Sequence, residues 1–328
     1  MSFAPPIGLA NRHVQTIFSS VGPRRFRIRS EFTRFESGQT EMILDCHDGI
    51  RLAGVLNQSP GSATGSTQRK QLAILIHGWE GSSESSYMLS MATTLLDAGI
   101  DVFRLNLRDH GDTHHLNEGI FNSTLVPEVI SAIEDLQSRL DYQDYSLVGF
   151  SLGGNFCLRV AALSHEREIS LTRVVAFCPA LHASRSNVVL NAKSNFIYGQ
   201  YFVRKWKRSL YKKLEHFPHY GYGEDLRRMK TLDEMNQELI PVYTEYSDVE
   251  AYFDAYAVTG DVLAATICPC FLHFAKDDMI IPYQDVELLA DNPDLHITLT
   301  DKGGHCGFIM NWKFESWQDY RTLQLLQQ

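Results

Sequence analysis

The pentapeptide Gly149-Phe150-Ser151-Leu152-Gly153 has the residue types and spacing of a G-x-S-x-G nucleophile elbow. The apolar stretch 146–150 precedes the serine and is typical of a short strand, and 152–163 has the apolar face of a helix. A strand that turns directly into a helix exposes the middle residue on a sharp bend, and glycines two positions to either side permit the close approach. Ser151 is thus predicted to be a nucleophile at a helix N-terminus, where free N–H groups favour developing negative charge.

The same five residues are also compatible with a glycine-rich turn that carries a bystander serine. The two interpretations differ in what the rest of the chain must contain. A serine nucleophile needs a base, an acid that orients the base, and N–H donors for the oxyanion.

The candidate base is His305, within Gly303-Gly304-His305-Cys306-Gly307. This stretch follows the last predicted strand, 296–300, and the order serine, acid, histidine places the base late in the chain. Glycines around a lone histidine suit a loop that brings the imidazole close to neighbouring backbone. His296 is the alternative, but its position within a predicted strand favours a structural role.

The candidate acid is Asp278 or its neighbour Asp277, which follow the predicted strand 269–275. Pro282 lies four residues after Asp278, a spacing that fits an acid loop, so Asp278 is preferred. The other carboxylate is then expected to cap the turn or to face solvent.

The candidate oxyanion hole lies in the segment 77–83, which follows the predicted strand 72–76. Backbone N–H groups of Trp79 and Leu152 are predicted to be the donors, a role that requires no particular side chain. His77 and Gly78 are interpreted as supporting residues, with His77 positioning the loop rather than acting as a base.

A second polar cluster invites a different hypothesis, metal binding by Asp109, His110, Asp112, His114 and His115. No H-E-x-x-H or comparable fingerprint accompanies it. A polar loop near the mouth of the site is the preferred interpretation, and we expect neither a metal nor a cofactor.

Alternating strand and helix patterns predict the elements that position these residues. Strands are expected at 72–76, 100–106, 146–150, 172–178, 269–275 and 296–300, and helices at 87–98, 126–140, 152–163, 284–290 and from about 314. Such repetition predicts the α/β class, with a mostly parallel sheet covered by helices on both faces.

The alternation stops between 182 and 262, where helical patterns replace strands. One helix is expected at 196–217, with an apolar stripe and many basic residues on its other positions. Helices inserted between two sheet strands suggest a lid over the carboxyl ends of the strands, and the alternative is a plain helical subdomain. The basic aromatic helix could contact anionic lipid, but packing through its apolar stripe is favoured.

The remaining segments complete the domain organisation. Residues 1–40 are expected to form an irregular arm on the core, 41–46 and 50–56 a hairpin, and 58–70 a polar surface loop. The prediction is therefore an arm (1–40), a core (41–181 and 263–328) and a helical lid (182–262).

Composition excludes several classes of protein. With 328 residues and a formal net charge of −9, the chain is not expected to bind nucleic acid. It has no run of eighteen apolar residues, no signal-peptide pattern, and six cysteines without disulfide or zinc spacing, so a cytoplasmic protein without a membrane span is expected. The oligomeric state is left open.

Taken together, these motifs resemble the α/β-hydrolase fold superfamily. Several stretches are similar to its YheT-like branch, the AB-hydrolase 4 or embryogenesis-associated group; they are 11–16 (N-x-H-x-Q-T), 77–83 (H-G-x-x-G-S-S), 149–155 and 303–305. Residues 108–111 depart from the R-G-x-x-x-S type of loop in many relatives, and we expect no counterpart of the membrane anchor of eukaryotic relatives. The resemblance implies ester or thioester hydrolysis, with acyl transfer to alcohols in some members.

Three functional hypotheses follow. The first is a cofactor-free serine carboxylesterase that acts on small-molecule acyl esters, lipid-derived esters included, through Ser151, His305 and Asp278. The second is an acyltransferase in which an alcohol resolves the same acyl-enzyme. The third is a catalytically silent scaffold that binds a small ligand or a partner.

Overall fold

A single eight-stranded sheet organises the chain. The computed structural model describes residues 3–60 and 70–328, so most of the predicted loop 58–70 lies outside the described residues. The strands are β1 (Gln39–Asp45), β2 (Arg51–Asn57), β3 (Gln71–Ile76), β4 (Asp101–Asn106), β5 (Asp144–Phe150), β6 (Arg173–Phe177), β7 (Cys270–Ala275) and β8 (Leu295–Thr300). Their spatial order is β1-β2-β4-β3-β5-β6-β7-β8, with β2 antiparallel to both neighbours and the other pairs parallel. The predicted α/β class with a mostly parallel sheet is confirmed.

Eleven α-helices lie within the described residues. They are α1 (Arg12–Phe18), α2 (Pro23–Phe32), α3 (Ser86–Asp97), α4 (Val126–Arg139), α5 (Leu152–Leu163), α6 (Ala183–Asn191), α7 (Phe196–His216), α8 (Gly223–Arg228), α9 (Leu232–Tyr243), α10 (Val249–Ala255) and α11 (Trp317–Leu326). None of them is both long and apolar enough to cross a membrane.

The sheet is buried on both faces, as the side-chain alternation of β3 illustrates. Leu72, Ile74 and Ile76 pack into the cluster that contains the apolar sides of α4 and α5. Ala73 and Leu75 point the other way, into a cluster with α2, α3 and α11. Burial on both faces explains why the sequences of the central strands are continuously apolar.

Helices α6 to α10 lie between β6 and β7 in the sequence, where strand patterns were lacking. The long helix α7 runs over 21 residues, and its half-buried Phe202 and Trp206 pack against the same cluster as α5. Two capping residues begin later helices of this insertion: Thr231 forms a capping box with Glu234, and Asp248 accepts from the N–H of Ala251.

Three local predictions are wrong. The arm is not irregular: Asn11 caps α1 by accepting from His13 and Val14 N–H, and Pro23 begins α2. The segment predicted as a helix at 284–290 is a 3₁₀-helix, Tyr283–Leu288. The closing helix begins at Trp317 rather than near 314, since Phe314 has a positive φ of 58° that a helix cannot accommodate.

The arm is joined to the C-terminal part of the core through one fully buried side chain, Gln15. Its amide donates to the carbonyls of Leu9 (2.7 Å) and Ile309 (3.1 Å) and accepts from the N–H of Ile309 (2.7 Å). Each polar atom of this buried amide is therefore satisfied. The arm is consequently held against the segment that follows β8.

Candidate active site

Ser151 stands on the strained turn between β5 and α5. Its backbone has φ 53° and ψ −118°, an unusual conformation for a residue other than glycine. A Cβ at Gly149 would lie 2.4 Å from the carbonyl oxygen of Gly153, and a Cβ at Gly153 would lie 2.2 Å from that of Ile76. Only glycine fits at both positions. The elbow that the motif predicted is therefore present.

Ser151, His305 and Asp278 form a continuous hydrogen-bonded row. The Ser151 Oγ lies 3.0 Å from Nε2 of His305, and Nδ1 of His305 lies 2.9 Å from Oδ2 of Asp278. The three residues follow β5, β8 and β7, whose carboxyl ends meet at one edge of the sheet. The rival histidine, His296, instead lies in β8 with its ring stacked on Phe271.

The two adjacent carboxylates make different contacts. Asp278 also accepts, through Oδ1, from the N–H groups of Ile280 (2.8 Å) and Ile281 (3.2 Å), which fixes its orientation toward His305. Asp277 instead accepts from the N–H of Gly304 at 2.9 Å. The carboxylate that contacts the imidazole is thus the one preferred from the sequence, while its neighbour holds the histidine loop.

The loop that carries His305 depends on glycines. Gly303 and Gly304 have φ values of 150° and 57°, and a Cβ on Gly304 would lie 2.6 Å from both the Arg12 carbonyl and the Thr16 hydroxyl. The Thr16 hydroxyl oxygen accepts from the N–H of His305 at 2.9 Å. Helix α1 therefore positions the histidine directly. Sequence reasoning missed this role of Thr16, although the residue belongs to the arm motif already noted.

The charge state of His305 depends on two opposing effects. Burial alone would lower the pKa of the imidazole, whereas the Asp278 carboxylate and the Cys306 side chain raise it, and the net result is a pKa of about 9. The side chains of His305 and Asp278 are only 11% and 2% exposed, which strengthens their mutual attraction. The site therefore stabilises an imidazolium, the species that forms when the base takes a proton from serine.

The turn after β3 is fixed by two neutral histidines. His77 donates from Nδ1 to the Gly78 carbonyl (2.8 Å) and accepts at Nε2 from Leu107 N–H (3.2 Å). His110 accepts at Nε2 from Glu80 N–H (3.1 Å). Burial lowers the pKa of His110 to about 4 and that of His77 well below its usual value. Both imidazoles are consequently neutral and contact the backbone of this turn.

Two backbone N–H groups beside Ser151 remain available for a ligand. Within residues 3–60 and 70–328, no protein acceptor takes the N–H of Trp79 or of Leu152. Leu152 is the first residue of α5, where N–H groups have no intrahelical partner. Gly78 brings the Trp79 turn close, since a Cβ at Gly78 would lie 3.3 Å from the Ser151 Cβ.

Helix α7 covers the turn that contains Trp79. The Trp79 ring stacks on Phe202 with centroids 5.3 Å apart and meets Trp206 edge-on at 5.4 Å. The Nζ of Lys205 donates to the Glu80 carbonyl at 2.7 Å. The insertion is thus in direct contact with the candidate oxyanion turn.

The polar cluster at 109–115 serves to attach α7. Asp109 pairs with Lys213 at 2.8 Å, both buried, and Nε2 of His114 lies 2.9 Å from the Ser209 hydroxyl. In the part of the chain that the structure describes, the ligand atoms of this cluster do not form a metal-ligand group. The interpretation as a polar loop near the site fits these contacts.

Two surface cavities lie away from this site. Cavities of about 450 and 420 Å³ are lined by other parts of the chain, around Asp319 and around His165, and neither includes Ser151, His305 or Trp79. The Ser151 site is identified by the hydrogen bonds that join Ser151, His305 and Asp278.

Comparisons with known proteins agree with the fold described above. A model of the alpha/beta hydrolase family matches residues 73–313. No curated protein sequence matches the chain significantly.

Among solved structures, similar folds include the Pyrococcus furiosus esterase Pf2001 (17% identity, 90% of this chain and 93% of that one, TM-score 0.57). Est1E from Butyrivibrio proteoclasticus with bound ferulic acid is also similar (18%, 88% and 98%, 0.57), as is the alpha/beta hydrolase GrgF from a Penicillium species (17%, 88% and 96%, 0.54). At such low identity these likenesses show the shared fold.

Proposed function

The chain belongs to the alpha/beta hydrolase family, and we propose that it is a carboxylesterase-type serine hydrolase that cleaves acyl esters through an acyl-enzyme intermediate. The observation that carries the proposal is the row from Ser151 Oγ through both nitrogens of His305 to the Asp278 carboxylate. Fold alone would not support a reaction, because the same fold carries many functions.

The proposed reaction begins with attack of the Ser151 oxygen on the ester carbonyl while His305 takes the serine proton. Asp278 holds the imidazole in the correct tautomer and stabilises the imidazolium. The N–H groups of Trp79 and Leu152 donate to the oxyanion, and loss of one such donor typically costs on the order of 10²–10³ in kcat. His305 then returns the proton to the departing alcohol. Water, activated by His305, hydrolyses the acyl-enzyme and regenerates Ser151.

We also propose that α6 to α10 form a lid. The support is the position of α7 directly on the Trp79 turn, through Phe202, Trp206 and Lys205. A shift of α7 would then change both access to Ser151 and the position of one oxyanion donor. Among acyl esters, lipid-derived ones are candidates because the ring cluster beside Trp79 offers an apolar surface.

Within the family, we propose the YheT-like branch. The arm motif at 11–16 supports this placement, because its Asn11 caps α1, its Thr16 accepts from His305 and its Gln15 bridges to Ile309. Because residues of this motif contact the candidate site, the motif is stronger support for the branch than the G-x-S-x-G sequence alone.

Hydrolysis of p-nitrophenyl acetate and butyrate by the full-length protein tests the proposal. We expect turnover that Ser151→Ala abolishes, while Ser138→Ala, at an exposed serine, leaves the rate unchanged. Turnover that survives Ser151→Ala would contradict the assignment. Product analysis with added ethanol separates hydrolysis, which yields the acid, from acyl transfer, which yields the ethyl ester.

A further inference from the structure

Two buried thiols lie beside the proposed base and have no part in the proposed reaction. Cys178 follows β6 and Cys306 follows His305. Both have a positive φ, 44° and 51° respectively, a conformation that is unusual for residues other than glycine. The Sγ atoms of the two cysteines and a ring nitrogen of His305 all lie within 4.8 Å of one another.

These three atoms are the ligand types that zinc prefers. Two thiolates and an imidazole are a common set for Zn²⁺, with bonds of about 2.3 Å to sulfur and about 2.0 Å to nitrogen. Such bonds place ligand atoms roughly 3.5–3.8 Å apart in a tetrahedral site, so the cluster needs to contract by only about 1 Å. The two thiolates also neutralise the charge of the cation, which makes its burial tolerable.

The present partners of the thiols are weak. The Cys306 Sγ donates to the Phe177 carbonyl at 3.4 Å, and the Cys178 Sγ donates to the Gly304 carbonyl at 3.8 Å. The backbone N–H of Cys306 donates to the Cys178 Sγ at 3.5 Å, so the Cys178 side chain already contacts the backbone of Cys306. Sulfur hydrogen bonds of this kind cost little to replace.

The other four cysteines provide an internal comparison. Cys46, Cys157, Cys268 and Cys270 are equally buried. Among the described residues, none of them belongs to a group of three metal-ligand atoms. Burial of a thiol alone is ordinary, since cysteine packs as a small apolar residue. The combination with His305 is what distinguishes Cys178 and Cys306.

We propose that Cys178, Cys306 and His305 form a binding site for a soft divalent cation such as Zn²⁺, and that the bound cation inhibits the hydrolase. Binding forms two metal–sulfur bonds and one metal–nitrogen bond, and it releases the two thiol protons to solvent. Both nitrogens of His305 are in use, one toward Ser151 and one toward Asp278, so a metal on either nitrogen breaks the row. The inhibition, though not the binding, rests on the proposed function.

Cobalt titration of the reduced, chelator-treated full-length protein tests the binding. Co²⁺ takes the same ligands, and its thiolate charge-transfer absorption reports metal–sulfur bonds without any substrate. We expect one Co²⁺ per chain, displaced by Zn²⁺. The affinity should fall on the order of 100-fold in Cys178→Ser, Cys306→Ser and His305→Ala, since even changes behind the ligands cost 10–100-fold.

The matched control is Cys46→Ser, a buried thiol outside the cluster, which should bind Co²⁺ like the wild type. Thermal unfolding of each variant shows whether it is folded. If Cys178→Ser does not fold, the Co²⁺ affinities of Cys306→Ser and His305→Ala test the site. A wild-type protein without the thiolate band, or a Cys306→Ser variant that binds Co²⁺ with wild-type affinity and an unchanged band, overturns the site.

Ester hydrolysis in Zn²⁺ buffers tests the inhibition. We expect turnover to be lost as Zn²⁺ saturates and to be restored by chelator, with Cys46→Ser inhibited like the wild type. Activity that returns with a phosphine reductant but not with chelator would indicate that dissolved oxygen had oxidised the two thiols to a Cys178–Cys306 disulfide, and it would overturn the metal site. A chain that binds Co²⁺ but cleaves no ester refutes the proposed function alone; an active chain without the cobalt band refutes this site alone.

Discussion

At the scale of single residues, the adjacent carboxylates Asp277 and Asp278 are the sharpest test of the row beside Ser151. Asp278 contacts the imidazole, whereas Asp277 contacts the N–H of Gly304. In Asp278→Asn the amide cannot stabilise the imidazolium and favours the wrong tautomer, so we expect kcat to fall about 10⁴-fold. Steady-state kinetics with p-nitrophenyl butyrate measure this change.

Asp277→Asn is the matched control, because it removes the neighbouring carboxylate and retains a side-chain oxygen for Gly304. We expect it to change kcat by less than about tenfold. Equal losses in the two variants would contradict the assignment of the orienting acid.

The pH dependence of the reaction follows from His305. Its pKa is about 9, because the Asp278 carboxylate and Cys306 outweigh burial, and only the neutral imidazole can accept the serine proton. We therefore expect kcat/KM, measured with chelator present, to rise with pH, to be half-maximal near pH 9 and to level off above it. In Asp278→Asn the residual activity should level off at lower pH, since burial then dominates. A wild-type profile already flat at pH 7 would contradict this account.

Stability should vary in the opposite direction. A raised pKa in the folded state means that protonated His305 stabilises the fold below its ordinary pKa of 6.5, and this contribution disappears as the pH rises toward 9. The protein is thus expected to be most active at alkaline pH, where protonated His305 no longer stabilises the fold.

At the scale of secondary-structure elements, the packing of α5 against β5 and β3 depends on Gly153. A Cβ there would lie 2.2 Å from the Ile76 carbonyl, a contact with backbone that no side-chain rotation can relieve. We expect Gly153→Ala to lower the free energy of unfolding by about 3 kcal/mol, the upper end of typical overpacking costs. Urea denaturation measures this difference.

Gly38→Ala is the control for Gly153→Ala. The position has no heavy atom within 4 Å of the added Cβ and no positive φ. We expect its free energy of unfolding to stay within about 0.5 kcal/mol of the wild type. If Gly153→Ala and Gly38→Ala are equally stable, α5 does not approach β3 as closely at Gly153 as the structure shows.

Elements whose signal is local were predictable from the sequence. Helix α5 occupies the predicted residues. The ends of the core strands differ from the prediction by one or two residues, because buried parallel strands are apolar throughout and their sequences differ clearly from the polar segments around them. The arm was not predictable in this way. Helix α2 is largely polar, and its few apolar residues such as Ile28 and Phe32 are buried only by contacts with α3 and the sheet.

The same distinction applies to the candidate site. Ser151 and His305 lie in glycine-rich loops that motif spacing can identify. The contact of Thr16 with His305 spans 289 residues, and the approach of Cys178 to Cys306 spans 128, so only the folded sheet reveals them. The choice between Asp277 and Asp278 depends on the geometry of the turn after β7. The spacing to Pro282 favoured Asp278 but could not determine that geometry.

At the scale of the whole molecule, the arm and the C-terminal segment are held together by Gln15. Replacing it by methionine keeps the size but leaves the N–H of Ile309 and the Leu9 and Ile309 carbonyls without partners. Each unsatisfied buried group costs about 1–3 kcal/mol, so for three groups we expect the free energy of unfolding to fall by at least about 3 kcal/mol. Ester turnover should fall as well, since Thr16 follows Gln15 and contacts His305.

Gln327→Met, at an exposed glutamine near the end of the chain, is the control for Gln15→Met and should leave stability and turnover near wild-type values. If Gln15→Met changed neither quantity, the arm would not support the site.

The central claim is that Ser151 is a nucleophile activated by His305 and Asp278, and its most direct test is labelling of the native protein with a fluorophosphonate. Peptide mass spectrometry should find one adduct, on Ser151; labelling should be absent in Ser151→Ala and strongly slowed in His305→Ala. A folded wild-type protein that carries no adduct, or carries it on another serine, would contradict the claim.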